Sequence, residues 1–365
     1  MRLPLTDPED FAKVDMAQVE KMVDTFLEHG FTYFDTAYMY HEFQSEKIVR
    51  AALVERHDRS AFTLATKLPT MFLKAEGDQE RIFAEQLEKC GVDYFDYYLL
   101  HNLNVANYRK VCRFDSFAFA ARMKAEGKIR HVGFSFHDSA ELLDEILTAH
   151  PETEFVQLQI NYMDWENESI QSRRCYETAR RHGKPVVVME PVKGGTLAHL
   201  PEEAEQRFRA VRPELSPASW AIRYAAGLDG VMMVLSGMSS MEQLRDNISY
   251  MQHFEPLNAE ERSAVEDAVG IINRSIAVPC TACRYCVDGC PKQIAIPEYF
   301  ALYNNAEQSL NKGFSVQTVY YANLAQTHGR ASDCIGCRKC EKSCPQHLPI
   351  VEHLRQVAAW FDKEE

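Results

Sequence analysis

The 365-residue sequence contains no apolar run of the kind that spans a membrane, which takes about 20 mostly apolar residues. Its longest stretch free of charged side chains, Gly313 to Gly329, still carries Ser, Gln, Thr, Asn and His. The opening residues, Met1 to Asp10, hold no apolar signal-peptide core, so the expected compartment is the cytoplasm. Positive charge is also scarce: 40 Lys and Arg stand against 53 Asp and Glu, a formal charge of −13. Nucleic acid and anionic membrane both reward clustered cations, and neither is expected as a partner. A Gly-x-Gly-x-x-Gly turn is missing too, which counts against a doubly wound dinucleotide-binding sheet. What remains is an ordinary globular composition, 46% hydrophobic and 25% charged, long enough for one large and one small domain.

Strand-like and helix-like patterns alternate from about residue 15 to 255. Asp15 is placed to cap a helix in which Val19, Met22, Val23, Phe26 and Leu27 recur at helical spacing, and Gly30 stops it. Buried-strand candidates are 31–35, 62–67, 94–101, 131–136, 155–161, 186–191 and 231–237. Amphipathic stretches at 82–89, 140–149 and 170–182 lie between them. Repeated strand–helix units imply a parallel sheet, and their number fits an α/β (β/α)8 TIM barrel over residues 1–275. One strand is missing from the count. Met1–Leu5 reads as the tail of a first strand whose body would lie upstream, so the expectation is a truncated first strand.

Residues 276–365 differ in kind. Of eleven cysteines, Cys90, Cys112 and Cys175 are scattered singly, and the rest fall in this last quarter. The run Cys280-x2-Cys283-x2-Cys286-x3-Cys290-Pro291 recurs 54 residues later as Cys334-x2-Cys337-x2-Cys340-x3-Cys344-Pro345. Structural zinc normally shows as separate Cys-x2-Cys pairs, whereas a third cysteine two residues on, followed by Cys-Pro, is the run of bacterial 4Fe–4S clusters. The fourth cysteine of each run ligates the other cluster. One cluster is therefore expected on Cys280, Cys283, Cys286 and Cys344, and the second on Cys334, Cys337, Cys340 and Cys290. This part resembles dicluster bacterial-type ferredoxins: a small helical and loop domain suited to electron relay with a redox partner protein. The overall negative charge points to a basic partner.

At the carboxyl ends of four early strands stand Asp35, Lys67, His101 and Ser135, with Tyr40 in the loop after the first. In a barrel these ends converge on one mouth. A tyrosine with a pKa of about 10 donates a proton poorly until a cation lowers it. Lys67 can supply that charge, Asp35 can hold the ammonium, and His101 can hydrogen-bond a substrate oxygen. Such a set protonates a carbonyl oxygen while hydride reaches its carbon.

On Asp35-Thr36-Ala37-x-x-Tyr40, Thr66-Lys67 and Leu100-His101, residues 15–255 resemble the aldo-keto reductases, and a subgroup of that family carries a C-terminal dicluster ferredoxin domain. The resemblance implies reduction or oxidation of a small carbonyl or alcohol with NADP(H) or NAD(H), and a catalytic tetrad of Asp35, Tyr40, Lys67 and His101. It places Gln159 and Ser135 at the nicotinamide carboxamide, Lys193, Gly194 and Gly195 at the pyrophosphate, and Asn247 at the adenine. The family's grip on a 2′-phosphate falls at Gly237, Ser239 and Gln243, none of them basic, with Lys193 and Arg245 as the nearby cations. Its nicotinamide-stacking aromatic falls at Met189, which leaves room for a flavin although no motif marks one. The second reading is an electron-transfer iron–sulfur protein whose barrel is a docking or nucleotide-sensing module.

Overall fold

The computed structural model of the chain describes residues 3–7, 10, 12–274, 277–280, 282–308 and 315–362. Seven strands, β1 (Tyr33–Asp35), β2 (Thr63–Leu68), β3 (Phe95–Leu103), β4 (Ile129–Phe136), β5 (Phe155–Gln159), β6 (Val186–Met189) and β7 (Val231–Val234), form one sheet. Each pairs in parallel with its neighbours in chain order. All seven expected strands are present. Among the described residues no ladder joins β7 back to β1. Leu5, expected in the tail of a further strand, makes an isolated antiparallel bridge with Val14. Met1 and Arg2 of that tail, and Ser275 at the expected domain boundary, lie outside the described residues.

The helices follow from local chemistry. Asp15 caps Met16–Glu28 by accepting the Gln18 N–H at 3.1 Å, and Gly30 closes it in a left-handed conformation with φ 82°. The helices Asp78–Cys90, Ala140–Ala149 and Ser172–Arg181 stand where the amphipathic stretches predict them.

Register decides what the sheet presents. Side chains alternate along a strand, and paired residues of a parallel ladder share a face. The pairs Lys67↔Leu99, Leu99↔Gly133, Gly133↔Phe155 and Gln159↔Met189 therefore put the odd-numbered residues on one side. Tyr33, Ala65, Leu99, Phe155 and Val187 of that side pack into a buried layer. Gly133 is required there, because a Cβ would lie 2.5 Å from the Phe155 carbonyl oxygen.

Two compact units divide the chain. The first comprises Met1–Gln159, Cys175–Pro191 and Ile222–Pro256 and contains the whole sheet. The second comprises Ile160–Arg174, Val192–Ala221 and Leu257–Glu365. Its core gathers Tyr299, Phe300, Leu302, Tyr321, Leu354 and Val357 around Cys286, Cys340 and Cys344.

Inside the second unit the cysteine repeat extends well past the cysteines. Left-handed residues occur at Ala282, Arg284 and Gln293, and 54 residues on at Gly336, Arg338 and His347. The Gln293 N–H donates to the Cys290 carbonyl at 3.0 Å, mirrored by His347 to Cys344 at 3.1 Å. Each copy then enters a 12-residue helix, Ile296–Glu307 and Ile350–Phe361.

Candidate functional site

Alternation carries the site. Asp35, Lys67, His101, Ser135, Gln159 and Met189 are all odd-numbered and lie on the face of the buried layer, two to four residues nearer the carboxyl ends of their strands. Lys67 is fully buried. Its Nζ donates to Asp35 Oδ2 at 2.6 Å and to the Thr36 carbonyl at 2.8 Å. Burial works against its ammonium, but the Asp35 carboxylate and Tyr40 outweigh it and hold the lysine above its ordinary pKa.

Lys67 Nζ lies 5.1 Å from the Tyr40 ring centroid, and the Tyr40 and His101 rings meet edge to face at 5.9 Å. The structure thus brings together the four residues expected to form a tetrad. It corrects one detail of their electrostatics. The sequence predicts that Lys67 lowers the Tyr40 pKa; instead burial raises it, with Lys67 opposing and Asp35 and Glu190 adding to the rise. Tyr40 therefore keeps its proton at neutral pH. His101 is driven well below its usual value by burial and then by the Lys67 charge and His137, so its imidazole is neutral. Its Nδ1 is buried and meets no hydrogen-bond partner among the described residues, and Thr70 Oγ1 fixes its backbone by donating to the His101 carbonyl at 2.6 Å. Ser135 ties the neighbouring strand in: its Oγ accepts the Asn102 N–H at 2.8 Å.

Two features had no signal in the sequence. Glu46 is fully buried behind the tetrad, accepting from Thr66 Oγ1 and Gln86 Nε2, each at 2.8 Å. Gln86 Nε2 also reaches the Lys67 carbonyl at 3.0 Å, and Tyr98 donates to Gln86 Oε1 at 2.7 Å. This lattice fixes the backbone of β2 beneath Lys67 through partners 12 to 40 residues apart. The second is Glu190, left-handed at φ 56° directly after β6, whose charge acts on Tyr40.

The residues matched to nucleotide binding fall into both units. In the first, Asn247 Nδ2 donates to Ser236 Oγ at 2.7 Å while its Oδ1 accepts from Tyr250. Gln243 Oε1 accepts the Ser239 N–H at 2.7 Å; Gly237 and Arg245 are exposed. In the second, Lys193 is buried and paired to the fully buried Asp164 at 2.5 Å, so its charge is already balanced. Gly194 and Gly195 follow in left-handed conformations.

For the cysteines, a pocket is lined by Cys290, Cys334, Cys337 and Cys340, with Ile294, Ile296 and Leu354 as apolar wall. Three thiols from one run and the last of the other therefore share one space, a donor set that suits a thiolate-bound cluster. Cys280 lies within electrostatic reach of Cys283 and Cys344, the complementary grouping.

A parallel α/β sheet that sets Asp, Lys and His at the ends of its strands, with Tyr shortly after the first, has the build of an oxidoreductase. The aldo/keto reductase family profile matches residues 5–269, and that of the 4Fe-4S dicluster domain matches 279–349. The chain belongs to the aldo/keto reductase family and is an oxidoreductase with a 4Fe-4S dicluster domain C-terminal to its α/β region. An aldo-keto reductase of Mycolicibacterium vanbaalenii is 28% identical, covering 68% of this chain and 83% of its own length. The Bacillus subtilis oxidoreductase YqkF is 25% identical over 62% of this chain and 80% of its own. Among solved structures, the holo form of an aldo-keto reductase from Bacillus halodurans shares the fold with a TM-score of 0.57 at 24% identity, covering 70% of this chain and 88% of that one. An aldo/keto reductase from Klebsiella pneumoniae, solved with NADP and acetate, aligns with a TM-score of 0.55 at 20% identity, over 69% and 85%. Among the described residues no helix is long and apolar enough to cross a membrane.

Proposed function

We propose that the chain interconverts a small carbonyl compound and its alcohol with a nicotinamide cofactor, and that the second unit holds two 4Fe–4S clusters in crossed ligation. The observation that supports the first part most is the buried Lys67–Asp35 pair lying against Tyr40 and a neutral His101. A bound nicotinamide would supply or accept the hydride. The chain's own residues handle the proton. Tyr40 Oη gives it to the carbonyl oxygen, and the Lys67 ammonium stabilises the phenolate left behind. Asp35 holds Lys67 in place, while the neutral imidazole of His101 orients the oxygen by a hydrogen bond. Ser135 and Gln159 stand on the same face and offer a hydroxyl and an amide to the carboxamide. Cys280, Cys283, Cys286 and Cys344 would hold one cluster, and Cys334, Cys337, Cys340 and Cys290 the other.

Lys193 is balanced by Asp164, and the positions that grip a 2′-phosphate are Gly237, Ser239 and Gln243. NADH is therefore expected to serve at least as well as NADPH, since a phosphate dianion without a fixed cation loses its strongest bonds. No residue calls for a flavin.

The test is Tyr40→Phe. Carbonyl turnover should fall by about 10²- to 10⁴-fold while nucleotide binding stays within a few-fold. Turnover that survives the change would remove Tyr40 from the mechanism and favour the electron-carrier reading.

A further inference from the structure

The two cluster sites share a backbone but differ in their surroundings. Lys292 and Arg338 line the cavity of Cys290, Cys334, Cys337 and Cys340, and the exposed Lys339 and Lys342 lie on the short helix Lys339–Ser343 that follows. One carboxylate, Glu341, answers them, 3.8 Å from Arg338. Arg338 remains 73% exposed. At the rim the apolar Ile335 is 62% exposed and the Cys337 thiol faces solvent. Among the described residues, the matching positions of the other run carry fewer cations. There Arg284 is paired to Glu298, and the positions of Lys339 and Lys342 are taken by Tyr285 and Asp288. In the second copy the residue matching Glu298 is Glu352, which bonds Arg355 at 3.3 Å and leaves Arg338 to Glu341. A chain of net charge −13 thus places two cations on the lining of one cluster site and two more on the helix that follows.

We propose that this face is the port through which the protein exchanges electrons with an acidic one-electron carrier protein. The local charge reverses the expectation drawn from the overall charge, which pointed to a basic partner. Cations at the rim attract an acidic carrier and set its orientation. Ile335 gives the contact an apolar centre, and the exposed Cys337 offers a route from surface to cluster. One electron leaves the carrier, which is oxidised by one unit, and the iron–sulfur centre is reduced by one; no bond or proton changes hands. The proposal rests on the cluster assignment above.

The experiment uses cluster-replete full-length protein and a small acidic ferredoxin as the carrier. Two quantities are measured against salt: the second-order rate of cluster reduction by stopped flow, and binding of the oxidised carrier by calorimetry. Both should weaken steeply between about 20 mM and about 0.5 M salt, as charges become screened. Lys292→Glu/Lys339→Glu/Lys342→Glu should lower the low-salt rate and the affinity at least about tenfold, with unchanged iron content and visible spectrum. Tyr285→Glu, the matching change at the other site, should alter them less than about twofold. Salt-independent transfer, or equal losses in the two variants, would overturn the port while leaving the clusters in place. A chain that takes up no iron and sulfide would overturn the cluster assignment itself, and the port with it.

Discussion

The two copies of the cysteine repeat agree in backbone and disagree in side chains. Their left-handed residues, turn hydrogen bonds and 12-residue helices recur at a 54-residue offset. Yet the helices Ile296–Glu307 and Ile350–Phe361 share only their first and third residues, Ile and Glu. The difference teaches that geometry here is set by cysteine spacing and left-handed turns, whereas charge at each site is free to vary. One copy pairs its arginine with Glu298 at the start of its long helix, and the other pairs it, more loosely at 3.8 Å, with Glu341. A dicluster unit of this kind can expose a cysteine at both sites, Cys283 and Cys337, and still differ in the charge beside each.

The strongest way to break the comparison is to exchange which copy feeds which site. Crossed ligation predicts that Cys290→Ala, a change in the first run, empties the second site, and that Cys344→Ala empties the first. Each should cost about half the bound iron, and the two remaining clusters should differ in their electron paramagnetic resonance signals. If Cys290→Ala and Cys283→Ala remove the same signal, ligation is not crossed. Removing both clusters is a larger perturbation for the second unit than for the first. The core of the second includes cysteines, so metal binding and folding are coupled there. Chelation of iron should therefore abolish its melting transition while leaving that of the sheet.

A smaller effect separates the copies at Ala282 and Gly336, the matched left-handed pair. A Cβ on Gly336 meets only Val351, at 4.0 Å, so Gly336→Ala should cost only the backbone penalty, about 1 kcal/mol. Ala282→Gly should gain less than that, because glycine also frees the unfolded chain. Thermal melts of holo protein would check both signs.

The sheet unit offers a milder contrast in pH. His137 is pushed down to about 4 by burial, so the folded form resists a proton that the unfolded chain accepts near 6.5. Stability should fall as pH drops from about 6.5 to about 4, and His137→Gln should flatten that slope in melts across this range.

Much of the fold was legible because periodicity is local. Seven short apolar runs gave seven strands, and their carboxyl ends brought Asp35, Lys67 and His101 to one mouth; that they share a face emerges only from the register. The lattice of Glu46, Thr66, Gln86 and Tyr98 was not legible, since its partners are distant in the chain and no spacing marks them. The pairing of Lys193 with Asp164, 29 residues away, was hidden for the same reason and balances that lysine's charge. The Tyr40 pKa also went the other way, because sequence shows the cation beside a tyrosine but not the burial that outweighs it. The local sign at the second cluster site was masked by the charge of the whole.

The central claim is that carbonyl chemistry at Tyr40 and one-electron exchange at the clusters are separate operations of one chain. Anaerobic titration of cluster-replete protein with NADH, following nucleotide fluorescence and visible cluster absorbance together, tests it most directly. The account predicts saturable binding with the cluster absorbance unchanged. Bleaching of that absorbance in step with NADH oxidation would contradict it, because a hydride would then be reaching the clusters through an electron-splitting group such as a flavin.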